Sequence, residues 1–441
     1  MWSTIGDFIF RRCRIPSQTL YDHSGNRPGS WGKTVLVNSS LTASALFRFI
    51  IFVPLLALCA ELDTILQVAL EVAFGIFYSV LCWFGRRLLR TGPVCGQCGE
   101  SEPNCREAVI AMANLRLTMA TYDYDHVRDL ASGEIRPQGI DLTSMCFRVE
   151  EIFYRFANTF EWDVSELSFA KYCSMMSYDE PPITGIPVFV SRVFRHSAFY
   201  IRRGGGITRP EDLAGKRVGI PEWTQTATVY ARGLMVHQYG IPLTDIDWIQ
   251  AGVDQPGRVE MADITLPDGV RYTQVQDRTL TEMLLAGDLD AVISAHPPHA
   301  FLDGNPDMIR LFPSFREDEA KYFKETGIYP IMHTVAIKRS VFDENPWIAM
   351  NLLTAFEEAK QRSIERLSGI TASRIPMPWI YDDFDHLREE MFAGDYWPYG
   401  IEPNRTTIDA FLQYCHEQGV CHRRLQPEDL YPREVQTVFR V

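Results

Sequence analysis

The sequence predicts an α/β protein with largely parallel sheets. Two observations predict it. From residue 114 onward, short apolar or alternating runs are separated by stretches of helical period, the pattern left by strands joined through crossover helices. The 441 residues are 46% hydrophobic and 22% charged, ordinary values for a globular chain with room for two or three packed domains.

The elements follow in order. "LRLTMATY", from Leu115, reads as the first strand, and "DHVRDLASGEI" as a helix with glycine near its end. "IDLTSMCF" is a second strand and "VEEIFYRFANTF" an amphipathic helix. "WDVSELSFAKYCSMMS" runs from a strand into a helix, and "IPVFVS" and "HSAFYIRR" are strands. "ITRPEDLAGKRVGI" has the shape of a loop, one helical turn and a strand. "TQTATVYARGLMVHQYG" is a helix stopped by glycine, and "YTQVQDRTLTEMLLAGDLDAVIS" gives strand, helix, strand. "GIYPIMHTVAIKR" is a further strand, and helical periods then occupy 346–366, 382–392 and 405–418. There is no internal repeat and no low-complexity tract.

Residues 1–111 are different in kind. They hold 10 Lys+Arg against 8 Asp+Glu, while 112–441 hold 33 against 48, within a net charge of −13. That balance argues against a nucleic-acid partner, which needs a broad basic surface. Six of the ten cysteines lie in this first part; the rest has only Cys146, Cys173, Cys415 and Cys421, which suits a reducing compartment. "FIIFVPLLALCA" (49–60) is too short to span a bilayer; "TILQVALEVAFGIFYSVLCWF" (64–84) is long enough but carries Glu71. "CGQC" with Cys105 lacks a fourth ligand for zinc. Three readings stay open: a membrane anchor through 64–84, a disordered or partner-docking extension, and a start codon chosen too early. The last is preferred, because "MANLRLTMATYDYDHVRDL" from Met112 looks like a natural beginning. The core is then expected in the cytoplasm, with a membrane partner only if 64–84 is an anchor. A homo-oligomer is compatible with the sequence.

Several segments of the main part resemble the type 2 periplasmic-binding-protein superfamily: "ITRPEDLAGKRVGI" as the entry to a second lobe, "LLAGDLDAVIS", "YPIMHTVAIKR" as the return across a hinge, and "NPWIAMNLLTAFEEAK". Within it the chain is most similar to 4,5-dihydroxyphthalate decarboxylases, from about 114 to about 435. "ELSFAKYCSM", "SRVFRHSAFYIR", "GIPEWTQTATVYARG", "ISAHPP", "YPIMHTVAIK" and "DYWPYGIEPNR" carry that similarity. The resemblance implies a two-lobed α/β fold with two hinge crossings, preceded by an unrelated extension. Lobe one is expected over 112–203 plus 328–441, and lobe two over 204–327. It also implies loss of CO2 from a small aromatic dicarboxylate, giving protocatechuate, with no organic cofactor.

That chemistry needs cations for a dianion and an acid that reaches a ring carbon. The run 191–203 concentrates Arg192, Arg195, His196, Arg202 and Arg203; Arg192 and Arg195 are expected to bind a carboxylate, since guanidinium makes two parallel hydrogen bonds to it. Arg202 and Arg203 are expected to face solvent. In "PEWTQT", Trp223 would stack on the ring, while Thr224, Gln225 and Thr226 would offer hydroxyls and helix-start N–H groups to the second carboxylate. Ser168 and Lys171 would close the cleft from lobe one, and Tyr399, with Tyr396 and Trp397, would cover the ring. His296, His196 and His333 are the candidate catalytic acids. His296 and His299 are spaced for metal, but no carboxylate cluster accompanies them, so no metal is expected. Two other classes compete. A solute-binding protein would share the fold but should carry a secretion signal. A thiamine pyrimidine synthase has a cysteine-rich cluster that four scattered cysteines do not match.

Overall fold

A computed structural model describes residues 114–437, except 263, 370, 372 and 373. The extension, with both apolar runs and the CGQC motif, lies outside the described residues, and so do the readings placed on it. No helix among the described residues is long and apolar enough to cross a membrane.

Eleven strands form two sheets. The first holds β1 (Leu115–Thr121), β2 (Ile140–Cys146), β3 (Val164–Ser168), β4 (Ile183–Arg192) and β11 (Ile331–Lys338), in the order β2-β1-β3-β11-β4. β1 is parallel to β2 and β3, whereas β11 is antiparallel to both β3 and β4. The second holds β5 (Phe199–Arg202), β6 (Arg217–Ile220), β7 (Asp247–Gly252), β8 (Arg271–Thr279), β9 (Ala291–Ile293) and β10 (Met308–Arg310), in the order β10-β5-β9-β6-β7-β8. The chain passes from β4 to β5 and returns from β10 to β11: these are the two hinge crossings. Helices cover both sheets, and strands buried on both faces read as near-continuous apolar runs, as even the edge strand β4 does.

Several elements differ from the sequence reading, among them the short β10, which it did not anticipate. β7 was not anticipated, because "DWIQAG" is short and carries Gln250 at its centre. Seven of the twelve residues of the helix Phe315–Thr326 are charged and only Tyr322 is buried, so it shows little apolar stripe. The 382–392 segment is two pieces, a helix Ile380–His386 and a π-turn Leu387–Met391.

β4 is irregular where it meets β11. Pairing moves from His333↔Ser191 to Val335↔Ile186, so β4 carries extra residues around Pro187. The freed carbonyls find other donors: Gly400 N–H to Pro187 O at 2.8 Å, the Trp397 indole N–H to Phe189 O at 2.8 Å, and His126 Nε2 against Val190 O at 3.0 Å. The 395–404 loop is thus a brace for the bulge. At the other sheet, helix Thr226–Tyr239 lies close to helix Arg405–Glu417; a Cβ on Gly233 would sit 2.4 Å from the Tyr414 ring.

Candidate active site

Glu166 and Ser168 are two apart on β3 and so point to one face. The antiparallel register sets His333 opposite Ser168 on one side and Ser191 on the other. Glu166 is completely buried, yet fully bonded. Its Oε1 lies 2.6 Å from His333 Nδ1 and accepts from the Tyr124 hydroxyl at 2.6 Å, and its Oε2 accepts from Tyr122 N–H at 2.8 Å. A carboxylate can only accept, so Nδ1 carries the proton in that bond and Nε2 is the ring nitrogen left for chemistry. Nε2 has no hydrogen-bond partner among the described residues, and the side chain is 17% exposed. The Phe153 ring stands edge-on to the imidazole at 4.9 Å and fixes its plane. Burial, and then the Glu166 charge, pushes the Tyr124 phenol well above its ordinary range, so Tyr124 stays a donor.

The residues that follow on β3 carry the site to the second sheet. Ser168 Oγ meets Thr226 Oγ1 at 2.8 Å, and Ala170 N–H donates to the same hydroxyl at 3.0 Å. One helical turn after Ser168, Lys171 Nζ pairs with Glu222 Oε2 at 3.0 Å. Glu222 Oε1 accepts from Arg258 Nε at 2.9 Å and Nη2 at 2.5 Å. At the rim, Glu150 Oε1 meets His296 Nε2 at 2.9 Å. The bond from His296 is the main cause that holds the Glu150 carboxyl down to about 2.

Of the predicted residues, this arrangement brings together Ser168, Lys171, Thr226, His333 and, at the rim, His296. Other expectations are corrected. Arg192 is buried; its guanidinium bonds Asn404 Oδ1 and Pro398 O and lies over the Phe189 and Tyr329 rings, so it anchors the brace loop. Arg195 turns to the sulfur of Met332 on the returning crossing, 3.1 Å from Nε. Burial lowers each of these guanidiniums to about 10, which leaves both charged at neutral pH. His196 is buried edge-on against Phe312 and Tyr322, and burial pushes it down to about 4. It is neutral at pH 7 and cannot serve as the acid.

The "PEWTQT" turn does bind an anion, but the anion is internal. Glu260 accepts from Trp223 N–H at 2.5 Å, Thr224 N–H at 3.2 Å and the Thr224 hydroxyl. Trp223 is fully buried; Arg232 covers its ring at 3.9 Å and its indole N–H donates to Gln418 O at 2.8 Å, so no face is left for a substrate. Gln225 precedes the helix without a side-chain cap. Tyr399 is buried under the Lys360 ammonium at 4.5 Å, and Trp397 serves the β4 brace. His299 is exposed, 3.9 Å from Asp254, and no group of three metal-binding side chains occurs among the described residues.

Sequence reasoning missed Tyr124, Glu166, Glu222 and Arg258. One signal was available for Glu166: a carboxylate inside the apolar strand "VSELS" must be paired if it is buried. It also passed over Arg148. Exposed at the start of helix Val149–Thr159, two residues before Glu150, its side chain has no partner among the described residues.

Two crossings between two mixed sheets, with an acid–histidine pair on the first sheet beside the returning crossing, define a two-lobed α/β protein. Comparison narrows the class. The chain is 36% identical over 321 residues to a 4,5-dihydroxyphthalate decarboxylase of Comamonas testosteroni, covering 73% of this chain and 97% of that one. It is 36% identical over 208 residues to a 4,5-dihydroxyphthalate decarboxylase of Pseudomonas putida, covering 47% and 80%. The chain belongs to the 4,5-dihydroxyphthalate decarboxylase family. No family model matches it. Among solved structures, the periplasmic aliphatic sulphonate binding protein SsuA of Escherichia coli aligns with 73% of this chain and 99% of its own, at 13% identity and a TM-score of 0.43.

Proposed function

We propose that the protein converts 4,5-dihydroxyphthalate to protocatechuate and CO2 in the cleft between its sheets, with His333 as the ring acid. The observation that carries this is the 2.6 Å contact from His333 Nδ1 to the buried Glu166 carboxylate, which leaves Nε2 to deliver a proton. Glu166 holds the ring in one orientation by accepting from Nδ1–H.

The hydroxyl para to the departing carboxylate pushes electrons into the ring. His333 Nε2–H gives its proton to the ring carbon that bears that carboxylate, and a C–H bond forms. Positive charge passes to the hydroxyl oxygen as the ring loses aromaticity. The C–C bond then breaks, its electron pair restores the ring, and CO2 leaves. One proton is taken up and nothing is oxidised. The departing carboxylate gains by being loosely held, because a tight grip on it would stabilise the ground state. The retained carboxylate can be held firmly throughout. The test is incubation with 4,5-dihydroxyphthalate, following CO2 and protocatechuate. Turnover supports the reading; tight binding with no CO2 would sink it and leave a solute-binding protein.

A further inference from the structure

We infer that Arg258 is the guanidinium that binds the retained carboxylate, and that a buried three-charge bridge between the two halves of the cleft puts it in place. The inference rests on the decarboxylase reading and adds the cation which that chemistry needs. Arg192 and Arg195, which the sequence offers for the task, are committed to the brace loop and to Met332.

Arg258 lies in the segment between β7 and β8, where a free loop would leave a long side chain unordered. Here it is held at both ends. Its backbone carbonyl accepts from Gln250 Nε2 at 2.8 Å and Gln276 Nε2 at 3.1 Å, one amide from each flanking strand. Gln250 is fully buried and also bonds Pro221 O, so it ties this loop to the β6 end as well. At the other end, Nε and Nη2 grip Glu222 Oε1. Nη1 has no hydrogen-bond partner among the described residues, and the side chain keeps 35% exposure while Glu222 keeps 2%.

The charges do not balance. Lys171 and Arg258 share one carboxylate, so the bridge carries one uncompensated positive charge. Lys171 is nearly buried, and the excess therefore reaches solvent through Arg258. Of the other carboxylates nearby, Glu150 is already bonded to His296, and Glu260, two residues on, is taken up by the Trp223 and Thr224 N–H groups. A partly desolvated cation with one free face is a carboxylate site. Because Lys171 belongs to the first half and Arg258 to the second, the site is complete only when the halves meet.

The test is calorimetric titration with phthalate, which has both carboxylates and no hydroxyl to drive decarboxylation. Arg258→Met should raise the phthalate Kd about 10- to 100-fold, the range for hydrogen bonds to a charged group. Arg258→Lys should fall between, since it keeps the charge and loses the fork. His333→Gln should bind phthalate within about 3-fold of the parent protein. With hydroxylated substrate, Arg258→Met should raise KM more than it lowers kcat, as loss of uniform binding does. If Arg258→Met does not fold, Arg258→Lys carries the test. A phthalate Kd unchanged in whichever of these variants folds overturns the inference, and so does failure of the parent protein to bind phthalate. Absence of CO2 from any substrate refutes the decarboxylase reading instead and leaves the phthalate titration readable.

Discussion

A histidine works as an acid when something holds its ring and leaves one nitrogen free. His333 meets both conditions, with Glu166 on Nδ1 and Phe153 against its edge. His296 also has a carboxylate on one nitrogen, but it is 72% exposed and no ring among the described residues packs against it, so its plane is not fixed. His333→Gln should therefore lower kcat at least 100-fold, the usual share of a general acid, with an unchanged thermal melt. His296→Ala should lower kcat/KM less than 10-fold, since an exposed pair contributes little. Equal losses in the two variants would contradict the assignment. The sequence could not separate these histidines. Each sits in or at the end of a strand, and the partner that distinguishes them lies 167 positions away in one case and 146 in the other. The cation run was legible as a run, but its partners were not. Asn404 reaches Arg192 from 212 residues further along.

At the scale of elements, the two crossings are tied by polar contacts. Arg195 reaches from the outgoing crossing to Met332 on the returning strand, and Glu319, on helix Phe315–Thr326, accepts from Ser197 N–H at 3.3 Å. Burial raises the Glu319 carboxyl to about 7. A raised carboxyl favours the protonated form in the folded state, so its stabilising effect is full below the ordinary value near 4.5 and is lost as pH rises through about 7. Glu319→Gln should raise the melting temperature at pH 8 and leave it nearly unchanged at pH 4; a gain confined to low pH would reverse the sign. Arg192→Met should cost about 2–3 kcal/mol in a urea melt, the scale of lost charged hydrogen bonds, while the folded fraction keeps its activity. Most strands and helices were readable from period and caps. The helix Phe315–Thr326 was not, because a solvated helix with one buried residue shows little apolar stripe. The "DYWPYG" loop announced itself as aromatic. Only the β4 bulge, which no local pattern reveals, explains what its Trp397 does.

At the scale of the molecule, two sheets meet through a few specific links: Ser168 to Thr226, Lys171 to Glu222, and Glu150 to His296. The short stretch "ELSFAK" supplies Glu166 for the acid, Ser168 for the join and Lys171 for the ion bridge. The strand followed by a helical turn keeps Glu166 on the first sheet with His333 and sends Ser168 and Lys171 to partners of the second half. The alternating elements and the family resemblance made the two-crossing fold legible. The register that sets His333 between Ser168 and Ser191 was not, since it depends on a bulge. The central claim is that this geometry protonates an aromatic ring. Turnover of 4,5-dihydroxyphthalate in D2O tests it most directly, with the product read by NMR. The account predicts protocatechuate with one deuterium at the carbon that lost CO2, formed by the parent protein and at least 100-fold more slowly by His333→Gln. Full turnover by His333→Gln, or binding with no CO2, would contradict it.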